Sequence, residues 1–255
     1  MKRYRWNQNG LAGNLFIGSN PSKIALALPG LPYVPGAQDY FLELIDCGYS
    51  VIQPQYIGTY DSTGTFSPDS AICTVRSTID ELAQGIYDAR SQNIMISGKL
   101  DLVVAHSFGT WTAVNSLHSF STSTPIVLLS PFFAMGRQKT DMGITIDLSD
   151  QVNYIARALP LTFRLSSPNE WLSFFNDGDY PPPMESMFAN KLIICAVGSE
   201  DSAFNVEQME EVLFKQFSKL ANSFIFRVAS GVGHNATEVF RSSHVMEVLR
   251  NYGKA

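Results

Sequence analysis

Cysteine and histidine are scarce in this 255-residue chain, with three copies of one and four of the other. Cys47, Cys73 and Cys195 are odd in number and far apart, which argues against a disulfide framework and against a cysteine-based metal centre. Cys195 lies inside an apolar run and reads as a buried free thiol. Basic clusters are missing as well. The net charge is −5 and the sequence pI about 5.3, so nucleic acid and acidic membrane surfaces are excluded as expected partners. No apolar run approaches the length of a membrane span, and the polar first nine residues lead into no apolar stretch of signal-peptide length. Internal repeats and low-complexity tracts are also missing. These absences together predict a cytoplasmic protein of a reducing compartment, without a membrane span.

What the chain does have is apolar material: 45% of residues are hydrophobic and the mean hydropathy is +0.02, enough for one substantial core. Residues 1–19 read as two antiparallel strands joined at Asn9-Gly10. Short apolar runs at 23–28, 51–56, 102–105, 125–129, 192–197 and 224–228 read as buried strands. Helical patterns fall between them at about 37–47, 73–90, 110–117, 205–220 and 235–252, with Asn205 and Asn235 placed as N-caps. Strands alternating with helices predict an α/β fold, a mostly parallel sheet with helices on both faces. The alternation lapses from about Phe132 to Phe188, a stretch rich in proline and aromatic residues. We therefore expect a core built from residues 1–133 and 190–255, with 134–189 inserted as a cap.

The stretch Ala105-His106-Ser107-Phe108-Gly109 follows the central strand directly and opens a helix. A serine between strand and helix, with small residues two places either side, is the pattern of a nucleophile elbow. The turn holds the serine in a strained conformation that bulky flanking residues would obstruct. It also exposes the hydroxyl at a helix start, where free N–H groups favour a developing negative charge.

A serine hydroxyl becomes a useful nucleophile only when a base removes its proton and a third group orients that base. Ligands of parallel sheets bind at the carboxyl ends of the strands, so the partners should sit in loops that follow strands. His106 adjoins the serine, should point away from it and reads as a packed or hydrogen-bonded neighbour, and His118 and His244 fall on helices. His234, in Gly231-Val232-Gly233-His234 after the last strand, is the expected base. The strand at 192–197 leads into Gly198-Ser199-Glu200-Asp201, which makes Asp201 the expected orienting acid and Glu200 its reserve. Two backbone N–H groups should face the oxygen that gains charge. Phe108 offers one. Leu31, in Pro29-Gly30-Leu31-Pro32, offers the other, since Pro32 has no N–H.

These residues resemble the α/β-hydrolase family over nearly the whole chain. The order Ser107…Asp201…His234 is similar to the family's, as are the loops Gly198-x-x-Asp201 and Gly233-His234. The elbow departs from the usual Gly-x-Ser-x-Gly in having Ala105, and Pro29-Gly30 stands where many members have His-Gly. The segment Tyr60-Asp61-Ser62-Thr63-Gly64-Thr65-Phe66 resembles a stretch found in esterase-like and peptidase-like members. The resemblance implies a serine hydrolase, esterase-like or lipase-like before peptidase-like, acting on a small acyl substrate through an acyl-enzyme and needing no cofactor or metal. An acyl-thioesterase or peptidase of the same fold, and a binding protein that has lost catalysis, remain alternatives. Among the aromatic residues, Tyr33, Trp171, Phe174 and Phe175 are the candidates for substrate contact; Phe163, Tyr180 and Phe188 share the same stretch or a lid core.

Overall fold

The computed structural model describes residues 1–18, 23–36, 39–132, 143, 149–177, 191–217 and 223–252. Its first two strands, β1 (Lys2–Gln8) and β2 (Leu11–Ile17), form the expected hairpin across Asn9-Gly10. Both turn residues have positive φ, as a tight two-residue connection requires. Strand β3 (Lys23–Leu28) has the expected limits, whereas β4 (Tyr49–Pro54) starts two residues earlier than its apolar pattern suggests. Next come β5 (Ile86–Tyr87) and β6 (Ile94–Ile96), which pair only with each other. Then β7 (Leu102–His106), β8 (Ile126–Leu129), β9 (Leu192–Gly198) and β10 (Ser223–Ala229) complete the main sheet.

The eight strands lie in the order β1-β2-β4-β3-β7-β8-β9-β10, antiparallel at β1/β2 and β2/β4 and parallel from β4 onwards. Register places the strand ends side by side: Leu28 opposite Ala105, His106 opposite Leu129, Leu129 opposite Ala196, and Gly198 opposite Ala229. The loops that follow β3, β7, β8, β9 and β10 therefore leave one edge together. That edge is where the candidate residues were expected.

Alternation along the strands divides the core in two, because successive side chains point to opposite faces. Val103 and Ala105 join one apolar layer; Leu102 and Val104 join the other. The first layer is covered by α2 (Pro68–Gln84), α3 (Phe108–Asn115) and α6 (Val206–Phe217). The second is covered by α1 (Tyr40–Asp46), α7 (Ala236–Ser242) and α8 (Val245–Tyr252). Between β8 and β9 the described residues hold α4 (Ser149–Ala158) and α5 (Pro168–Asp177). Their residues Val152, Ile155, Trp171, Phe174 and Phe175 extend the first layer past the end of the sheet. Tyr180 and Phe188 lie outside the described residues.

Several helix limits differ from the pattern-based expectation. Helix α2 begins at Pro68 rather than near Cys73, because Ser67 and Ser70 cap its start reciprocally, and it ends before Gly85, whose φ is 107°. Helix α3 begins at Phe108, two residues early, so that it starts directly from the elbow. The closing segment is two helices. His244 has φ 54° and the Ser243 hydroxyl bonds back to the Val239 carbonyl, breaking the run between α7 and α8. No helix among the described residues is long and apolar enough to cross a membrane.

Candidate active site

Ser107 sits between β7 and α3 with φ 49° and ψ −121°, a conformation an ordinary side chain rarely adopts. The strain is held from both sides. The Ser107 N–H donates to the Leu129 carbonyl of the neighbouring strand at 3.0 Å, and its own carbonyl accepts from the Thr110 N–H at 2.8 Å and the Thr110 hydroxyl at 2.6 Å. Thr110 Oγ1 in turn accepts from the Phe132 N–H, tying the elbow to the loop after β8. A Cβ at Gly109 would lie 2.3 Å from the Leu28 carbonyl oxygen, so only glycine lets α3 lie this close to the end of β3. At the other flank Ala105 is fully buried within the sheet.

The loop after β3 runs against Ser107. A Cβ at Gly30 would stand 2.9 Å from the Ser107 Cβ, which brings the backbone of residues 30–31 beside the hydroxyl. That loop is fixed by the Tyr56 hydroxyl, which donates to the Pro29 carbonyl at 2.9 Å, and by Gln151 of α4, whose Nε2 donates to the Leu31 carbonyl. Phe108 opens α3, so its N–H belongs to the turn of donors that a helix leaves without internal partners.

Asp201 and His234 meet as the order of loops suggested. His234 Nδ1 lies 2.7 Å from Asp201 Oδ2, the same oxygen accepts from the Ser130 hydroxyl at 2.9 Å, and Oδ1 accepts from the Ala203 N–H at 3.1 Å. A carboxylate can only accept here, so His234 donates from Nδ1 and turns its Nε2 edge away from Asp201. The Asp201 side chain is fully enclosed while that of His234 is 40% exposed. Burial alone would push the Asp201 carboxyl up. The bonds from His234, Ala203 and Ser130 outweigh it and hold the group below the usual carboxylate range. Glu200 is exposed and only its backbone joins the loop, through its N–H to the Val232 carbonyl.

His106 does not simply point away. Its ring centroid lies 5.0 Å from that of His234, and its Nε2 is 3.1 Å from the His234 carbonyl oxygen. A carbonyl can only accept, so His106 is the donor and acts as a prop beneath the His234 loop. Burial and the adjacent His234 imidazole push its pKa down to about 3, so the ring is neutral wherever the pair operates.

Ser107, His234, Asp201, Gly30, Leu31 and Phe108 all line one cavity of about 310 Å³, joined by Tyr33 and by Gln151 and Phe175 of the inserted helices. Of the four residues expected to touch a substrate, Tyr33 and Phe175 reach this cavity. Trp171 lines a smaller one beside it, and Phe174 lines neither, packing edge-on against Trp111 at 4.8 Å. Burial pushes the Tyr33 phenol up, and its hydroxyl is engaged with Thr59 and with the Tyr56 N–H. Ser130, Thr110, Tyr56 and Gln151 escaped sequence reasoning. Only Ser130 carried a signal, since it directly follows a buried strand, as the other site residues do. Among the described residues no group of histidine, cysteine and acidic side chains could hold a metal.

No protein-family model and no curated protein matches the sequence. Solved structures do match over the full length. Epoxide hydrolase I from potato (Solanum tuberosum) superposes with a TM-score of 0.63 at 16% identity, over 98% of this chain and 100% of that one. Est1E from Butyrivibrio proteoclasticus gives 0.60 at 11% identity, with both chains covered completely. The alpha/beta hydrolase GrgF from Penicillium sp. sh18 gives 0.60 at 9% identity, over 99% and 96%. At such identities the likeness is one of architecture, and the architecture is the α/β-hydrolase fold.

Proposed function

We propose that this chain is a serine hydrolase that cleaves an ester, or a related thioester or amide, through an acyl-enzyme on Ser107. The observation that carries the reading is the 2.7 Å bond from His234 Nδ1 to a buried Asp201, in the same cavity as a serine held at φ 49°. In this reading His234 Nε2 takes the proton as the Ser107 oxygen adds to the substrate carbonyl. The N–H groups of Phe108 and Leu31 receive the oxyanion. His234 then returns the proton to the leaving group, and after that activates the water that releases the acid. Asp201 holds the imidazole tautomer and stabilises its charged form. Residues 134–189 serve as the cap of a core made from 1–133 and 190–255.

One of these neighbours' names points to epoxides. A hydroxyl nucleophile beside paired N–H donors suits a carbonyl better, because the donors serve an oxygen that gains charge on a trigonal carbon. Hydrolysis of p-nitrophenyl butyrate with labelling by a fluorophosphonate probe tests the proposal. Ser107→Ala should lose labelling and about 10⁴-fold or more in kcat. Asp201→Asn should fall roughly 10⁴-fold, since the wrong tautomer is then favoured, while Glu200→Gln stays near wild type. Labelling that survives Ser107→Ala would overturn the assignment.

A further inference from the structure

We propose that Gln151 is the wall that limits the acyl group to short or compact acids, and that a longer chain is excluded because this side chain closes the route beneath the inserted helices. The inference rests on the reading of Ser107 as the acyl-bearing residue and adds the class of acid it takes.

Two cavities meet at this point. The first, about 310 Å³, contains Ser107, Phe108 and His234. The second is about 20 Å³ and is walled by Val152, Ile155, Leu165 and Trp171. Leu31, Gln151 and Phe175 belong to both, so they are the partition. A volume of about 150 Å³ is enough to bind benzene, and about 10–15 Å³ is the least that holds one water. The first cavity, about twice the volume that holds benzene, has room for a compact acyl group together with its leaving group, and the second, as it stands, accepts almost nothing.

The partition is latched. Gln151 Nε2 donates to the Leu31 carbonyl, which joins α4 to the loop that carries the proposed oxyanion donor. The residues behind it are apolar and buried, among them Val152, Ile155 and Trp171. A polar amide set between an apolar recess and a nucleophile excludes alkyl groups that would otherwise run into the recess. Swinging it aside would leave its amide without that bond, a cost that a longer chain must offset. The same amide steadies the loop bearing the Leu31 N–H. It thus acts on length through its volume and on rate through its hydrogen bond, and substitutions can separate the two.

The test compares wild type, Gln151→Ala and Gln151→Leu on p-nitrophenyl acetate, butyrate and octanoate. Wild type should prefer the two shorter esters. Gln151→Ala removes both bulk and bond, so its octanoate-to-butyrate ratio of kcat/KM should rise about tenfold or more, the two cavities having become one. Gln151→Leu keeps the bulk and loses the bond, so its length preference should stay that of wild type while kcat falls on every ester. A second measurement reads length without turnover: calorimetric binding of butyrate and octanoate to Ser107→Ala, with and without Gln151→Ala. Octanoate should gain on butyrate only when Gln151 is truncated. An unchanged ratio in both assays, with the variants folded by circular dichroism, overturns the wall. Loss of every esterase signal with the binding shift intact would instead overturn the serine-hydrolase reading and leave the wall standing.

Discussion

At the scale of single residues the most informative side chain is one that performs no step. His106 donates to the His234 carbonyl and stays neutral down to a pH of about 3. In the unfolded chain the same imidazole binds its proton near pH 6.5. Between those values the unfolded state holds more protons, so stability is complete above about pH 6.5 and declines as pH falls toward 3. The groups facing His106 are His234 and Asp201, with Asp39, Glu238 and Arg241 lining the adjoining recess. Asp201 also has a lowered pKa, so its contribution is present above its unfolded value near 3.9 and fades only below that. The two effects therefore separate by pH. Thermal melts at pH 7 and pH 5 should show wild type losing Tm over this interval. His106→Gln, which keeps a donor for the His234 carbonyl, should lose less; equal losses would remove His106 from the acid response. That Ser107, His234 and Asp201 would lie in one cavity could be read from the sequence, because four histidines leave few choices and each of the three residues follows a strand. His106 is the hydrogen-bonded neighbour that was expected, and only its direction differs, for a geometric reason. A side chain pointing away along an extended strand no longer does so once the next residue turns to φ 49°. Ser130 had the signal of directly following a strand, but its partner could not be read, because that depends on β8 lying beside β9, a pairing that local sequence does not carry.

At the scale of elements, the buried strands were legible almost to the residue, since a run of β-branched and aliphatic residues has few other uses. Helix limits were not. The start of α2 shows why. The usual N-terminal signature looks for Glu or Gln three residues after the cap, and here Ser70 fills that place, accepting from the Ser67 N–H at 2.8 Å while its own N–H reaches Ser67 Oγ at 3.1 Å. Ser67-Pro68 then reads as the tail of a loop, although Pro68 is the first residue of the helix. Removing the cap measures what it contributes. Ser67→Ala should cost about 1 kcal/mol, the ordinary value of such a cap, and lower Tm by about 2–4 °C in a domain of this size. Ser67→Asp, which can still accept from the Ser70 N–H, should recover most of that. Full stability in the alanine variant would mean that packing of Ala71, Val75 and Leu82 sets the helix start and the cap is incidental.

At the scale of the whole molecule, what could not be read was where the inserted helices would rest, because the surface they cover comes from a loop a hundred residues earlier. The structure places that seat on the turn-rich segment after β4. Thr59 bridges to Phe163 and Phe66 to Leu165, and the exchange continues through Tyr60 N–H to the Thr162 carbonyl at 2.8 Å and Arg164 N–H to the Gly58 carbonyl at 2.8 Å. Between those bridges the Arg164 guanidinium donates to the carbonyls of Tyr60, Ser62 and Gly64, and the Trp171 indole donates to that of Phe66 at 3.1 Å. A single cation thus gathers three carbonyls that would otherwise crowd one another, and in doing so holds α4 and α5 over Ser107. The likeness of residues 60–66 to a stretch of α/β-hydrolase family members therefore marks a support for α4 and α5. Charged hydrogen bonds of this kind contribute about 1.5–3 kcal/mol each when isolated, and three sharing one partly exposed group should lose about 2 kcal/mol together in Arg164→Ala. The loss should be local. Limited proteolysis should cut first within residues 149–177, and KM for esters should rise as Gln151 and Phe175 leave the cavity wall, while the fluorophosphonate still labels Ser107. If instead labelling vanished with no new cleavage site, the guanidinium would be supporting the core and its elbow, and the inserted helices would stand on their apolar contacts with Phe66, Phe108 and Trp111 alone.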